Sequence, residues 1–222
     1  MSNSSYSLIP KIARDWHLGV NLLTHSEESM IEQFKIRAMP HLQNRPKSDW
    51  EWLALAQHYG LPTRFLDWTK NPLIALYFAC KSHPETEGVV YFARRVNEVN
   101  LITTISPLEI QDERAWSAQH IDVRISTQDG LFTLSQDPTI PFSSGLILRA
   151  NISALAKPSL LKTLELFGIH HGSVFPGLEG VAKYVEDKFF HFRGHKDENK
   201  LIAGMQAELQ RRDVLTVHQP AK

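Results

Sequence analysis

Cysteine is nearly missing from this chain: Cys80 stands alone, which excludes an internal disulfide and a multi-cysteine zinc site. Charge of either sign is not in excess. Lysine and arginine number 24, aspartate and glutamate 24, and the formal net charge is +0. That balance removes any global electrostatic case for nucleic acid or an anionic membrane. Long apolar runs are absent too, with no window near the ~20 residues of a membrane span. The opening MSNSSYSLIPKIARDW holds no apolar stretch of signal-peptide length. A cytoplasmic protein with no membrane partner is therefore expected. No Walker loop, G-x-S-x-G or G-x-G-x-x-G is found, and no repeat or low-complexity tract. Eleven histidines are more than expected, yet they predict no metal site. His170 and His171 are adjacent on a loop, His191 and His195 lie further on, and no tight His-x-x-x-His spacing supports them.

What is present is an ordinary globular composition, 42% apolar and 22% charged over 222 residues, and one dense segment. Residues 52–79, WLALAQHYGLPTRFLDWTKNPLIALYFA, place a polar loop between two helix-like apolar patterns. The loop carries His58, Thr63, Arg64, Asp67, Trp68 and Thr69. Polar groups flanked by apolar helices sit near a core, where they need partners or a ligand.

The surrounding pattern predicts an α+β fold, a small twisted, mostly antiparallel sheet flanked by four or more helices. Ser26, Glu27 and Glu28 read as the start of a helix carrying Met30, Ile31 and Phe34 and ending before Pro40. Asp49 reads as the cap of a second helix, stopped by Gly60 and Pro62, and Asn71-Pro72 as the start of a third. Residues 88–96 read as a central strand because the run is apolar, and 145–153 as another strand. Residues 123–135 suggest two extended pieces around Asp129-Gly130. Pro158 starts a helix closed by Gly168. A turn-rich loop spans 169–180, and a helix follows with Val181, Tyr184 and Val185 inward. Leu201, Ile202, Met205 and Leu209 predict an amphipathic helix over 197–212. The chain thus divides into a domain over 1–190 and a C-terminal helix and tail over 191–222.

These residues resemble the FRG domain family. QHYGLPTRFLDWT with the following PLIALYFA is similar to the family's central motif, and SYSLIPKIAR (5–14), RISTQDGLF (124–132) and LFGIHHGSVFPGLEG (166–180) resemble three further blocks in the same order. The resemblance covers roughly residues 5–185. The Phe-Arg-Gly element that names the family is expected shortly before SYSLIPKIAR, where this sequence has Met1. Phe192-Arg193-Gly194 stands near the wrong end and lacks the flanking pattern.

The order of motifs in the family is similar to that of a divergent ADP-ribosyltransferase, which is an analogy of fold. It implies NAD as substrate and no metal, in a toxin or anti-phage effector acting on a macromolecular target. An antitoxin, or self-association through 197–212, would be its partner. In such a site Arg64 would clamp a phosphate or carboxylate, Trp68 or Tyr77 would stack on a ring, Thr69 would orient a ribose or amide, and Thr63 and Asp67 would belong to the same cofactor-binding set. Gln128 takes the late catalytic position, where a Glu is usual, with the acid Glu179 and His58 as the other catalytic candidates. Plainer readings stand beside these. Arg64 and Asp67, three apart, form a loop-fixing ion pair; His58 is a satisfied histidine at a helix end; Trp68, Tyr77 and Phe78 are core, and Cys80 is a small buried hydrophobe. The competing function is a non-catalytic recognition module that binds nucleic acid, a nucleotide or a partner protein through the same loop.

Overall fold

The computed structural model describes residues 7–14, 20–99, 105–117 and 126–194. The helix expected at 197–212 lies outside these residues. After a short turn of helix, α1 (Lys11–Arg14), comes α2 (Val20–Ala38), which Pro40 follows closely. It begins before Ser26, so Glu27 belongs to its body and not to a first turn. Helix α3 (Asp49–His58) buries Trp50, Leu53, Ala54 and Ala56. Ser48 caps it by accepting from the Glu51 amide, which places Asp49 in the first turn and not at the cap. Helix α4 (Pro72–Lys81) starts where Asn71-Pro72 predicts, with the Asn71 side chain accepting from the amides of Leu73 and Ile74. Helices α5 (Lys157–Leu166), α6 (His171–Val174) and α7 (Leu178–Gly194) complete the set. Helix α7 runs past the boundary expected at 190.

The fold is α+β, with two small sheets in place of the single one expected. Strands β1 (Leu66–Thr69), β4 (Gly130–Leu134) and β3 (Arg114–Trp116) form one in the order β1-β4-β3. Strands β2 (Gly88–Arg94) and β5 (Leu146–Ile152) form the other. All these ladders are antiparallel. Strand β2 is therefore not central. Its apolar start reflects Val89 and Val90, which are buried although the strand pairs only with β5.

Register decides which side chains meet. Asp67 pairs with Phe132, Trp68 with Leu131 and Leu66 with Thr133, and directly opposed residues share a face. Phe132 stacks on Phe65 and Trp116 in a core that includes Trp50 and Leu53 of α3. Leu66 joins Leu8 and Phe142, with Trp68, Tyr91 and Ile147 packed alongside, so this cluster joins the two sheets. Strand β1 lies at one end of its sheet, with β4 as its single neighbour.

On α7 the expected inward face is met at Tyr184 and not at the two valines. Val181 and Val185 are 50% and 47% exposed, while Tyr184 turns in to bond Glu165 and stack on His170.

Candidate functional site

The loop between α3 and β1 is fixed from beneath. The Arg64 guanidinium donates to Glu27 Oε2 at 2.7 Å and to Thr24 Oγ1 at 3.2 Å, and the Arg64 amide donates to Glu27 Oε1 at 2.7 Å. Both charges are buried. Burial pushes the Glu27 carboxyl above its ordinary pKa, against the pull of Arg64. The expected pair between Arg64 and Asp67 does not form, because Arg64 turns to Glu27 on α2 and Asp67 stands exposed on β1. Thr63 is likewise structural: its hydroxyl donates to the Gln57 side chain and accepts from the Phe65 amide.

Above this anchor lies a cleft of about 380 Å³. Helix α3 supplies Ala54, Gln57 and His58; all four residues of β1 line it; Gln128 and Gly130 stand where β4 begins. Arg14 and Leu8 close the side formed by the N-terminal segment, and Phe78, Val90 and Tyr91 come from α4 and β2. Of the residues singled out from sequence, the structure therefore gathers His58, Asp67, Trp68, Thr69 and Gln128 into one cleft. Thr63, Arg64, Tyr77 and Glu179 do not line it. Sequence reasoning missed Arg14 and Tyr91 as wall residues and Glu27 as the anchor. Arg14 could have been found as the cation closing the SYSLIPKIAR block; Tyr91, inside an apolar strand, carried no signal.

Several cleft residues are held by side-chain bonds. Trp68 Nε1 donates to Thr133 Oγ1 at 2.7 Å, which orients the indole. The Thr69 hydroxyl donates to the Gln128 backbone carbonyl at 2.6 Å and accepts from the Asn71 amide at 3.0 Å. Gln128 Nε2 donates to the Val174 carbonyl at 3.1 Å, tying the start of β4 to α6.

Tyr77 belongs to the apolar cluster of Ile74, Leu164 and Val174, and its hydroxyl meets His171 Nδ1 at 3.1 Å. Burial, with Asp187 nearby, pushes its pKa up to about 12. Glu179 is exposed in the first turn of α7. His170 caps α6 through Nδ1, which accepts from the Ser173 amide at 3.3 Å, and His171 stacks on Phe175. Among the described residues no three of His, Cys, Asp and Glu come together as metal ligands would. None of the described helices is long and apolar enough to cross a membrane.

Set against known families, the FRG domain matches residues 1–88, from the N-terminus to the first residue of β2. The match contains the anchor and four of the five gathered residues, while Gln128 and the two later blocks lie beyond it. No curated protein and no solved structure matches the chain.

Proposed function

We propose that the cleft of this chain, whose residues 1–88 match the FRG domain family, binds NAD as substrate in a domain of ADP-ribosyltransferase type, a toxin or anti-phage effector. One observation carries this reading. A single cleft is lined by the polar residues Asp67, His58, Arg14 and Gln128 together with the aromatic residues Trp68, Phe78 and Tyr91. Aromatic walls suit a nicotinamide or adenine ring. Arg14 takes the phosphate-binding role for which Arg64, buried against Glu27, is not placed. As the C1′–N bond breaks, its electron pair leaves with nicotinamide, and a carboxylate stabilises the positive charge that develops on the ribose. Asp67 supplies that carboxylate, and a nucleophile of the target closes the new bond to C1′. A volume of 380 Å³ lies near the lower end of the ~300–1,000 Å³ of ligand clefts, enough for one half of a dinucleotide.

A second reading, a non-catalytic recognition module for a nucleotide, nucleic acid or partner protein, has its own support. Glu179 stands outside the cleft, and the Gln128 amide is already engaged by a backbone carbonyl. Calorimetric titration with NAD, followed by labelled NAD in cell extract, separates the two. The transferase reading expects binding, consumption and a labelled product, with Asp67→Asn keeping the binding and losing about 100-fold or more in rate. Binding without turnover selects the recognition module. A folded sample that neither binds nor consumes NAD would sink the NAD reading.

A further inference from the structure

The geometry points to Gln128 as the residue that sets ligand specificity in this cleft, reading an aromatic ring that carries an NH2 donor. The inference rests on the nucleotide reading above and deepens it. A backbone carbonyl can only accept, so the atom that meets Val174 O at 3.1 Å is the Gln128 amide nitrogen. That bond fixes the amide flip and leaves Oε1 as the group on offer. Among the described residues nothing else bonds the side chain of Gln128. The backbone of the residue is held as well, because the Thr69 hydroxyl donates to its carbonyl at 2.6 Å. Thr69 in turn is fixed by the Asn71 amide at 3.0 Å. A half-buried residue that lines the cleft, its backbone carbonyl and its side-chain nitrogen both held, has its remaining acceptor at a set position. An acceptor so placed welcomes an N–H donor and repels a carboxylate or a ring carbonyl, each of which would leave two acceptors facing one another.

Two parts of NAD carry that donor, the nicotinamide carboxamide and the adenine amine. Titrating the full-length protein with NAD, nicotinic acid adenine dinucleotide and nicotinamide hypoxanthine dinucleotide tells them apart. The expected result is at least about a tenfold weaker Kd for one of the two altered dinucleotides. Loss with the acid analogue places the carboxamide at Gln128, and loss with the hypoxanthine analogue places the adenine there. Gln128→Met, which keeps the bulk and removes the acceptor, should abolish the preference. Equal affinity of wild type for all three dinucleotides overturns the inference and leaves NAD binding standing, and so does a preference unchanged in Gln128→Met. If the folded protein binds none of them, both the inference and the NAD reading fall. The wild-type series is decisive even if the variant does not fold.

Discussion

Arg64 and Glu27 are 1% and 0% exposed, so each is a liability without the other. Removing one member of a buried ion pair leaves an uncompensated charge and costs about 3–5 kcal/mol, whereas replacing both by apolar residues is often neutral. Glu27→Ala should therefore lower stability by about 3–5 kcal/mol in urea unfolding, and Glu27→Met combined with Arg64→Met should recover most of it. If the double variant is as unstable as the single, the pair contributes net stability and not position alone. The rise in the Glu27 pKa on burial favours the positional role, since the ionised carboxylate is held there at a cost. Of this arrangement the sequence made Arg64 legible as a loop-fixing residue and misassigned its partner. Asp67 is three positions away, while Glu27 lies 37 positions upstream and resembles a first-turn acid until the helix is known to start at Val20.

Elements with local punctuation were legible, and those made by remote pairing were not. Asn71-Pro72 announced α4, and Gly168 marked the close of α5. Strand β1 had no such signal: four residues, LDWT, show no clean alternation, and its partner β4 begins at Gly130. The segment reads as a polar loop because its strand character depends on a distant ladder. The same distance explains why Gln128 was named as a candidate without its geometry, since both of its anchors, Thr69 and Val174, come from other elements. The junction of β1 and α4 can be tested through its cap. Asn71 Oδ1 satisfies the Leu73 and Ile74 amides, so Asn71→Ala should cost about 0.5–2 kcal/mol in thermal or urea unfolding. Asn71→Ser, which can still cap the helix, should cost less. An Asn71→Ala variant as stable as wild type would mean that water replaces the cap.

At the scale of the molecule, the α4 to α7 side is fastened by close packing and by charge. A Cβ at Gly88 would meet the Ala79 carbonyl oxygen at 2.3 Å, which shows how tightly β2 lies against α4. Buried Lys157, at the start of α5, donates to the carbonyls of Ser82 and His83 just past the end of α4. Helix α7 is tied to α4 by Lys81–Asp187 at 2.6 Å and to α5 by Lys188–Glu165 at 2.6 Å. Burial raises the pKa of both carboxyls, but Lys188 and Tyr184 on Glu165, and Lys81 and Lys183 on Asp187, outweigh it and hold both below their ordinary values. A carboxylate whose pKa is depressed by folding stabilises the fold above its unfolded pKa, and the gain is lost as pH falls through the folded value. The urea midpoint should therefore hold from pH 7 down to about 5 and decline below about 4, where unpaired carboxylates protonate. These groups are partly solvated, so each pair contributes no more than about 1 kcal/mol. Glu165→Gln together with Asp187→Asn should lower the neutral plateau slightly and flatten the acid decline. An acid decline just as steep in that double variant would assign it to other carboxylates. Glu27 is not among them, because its raised pKa makes its own contribution weaken as pH rises and not as it falls.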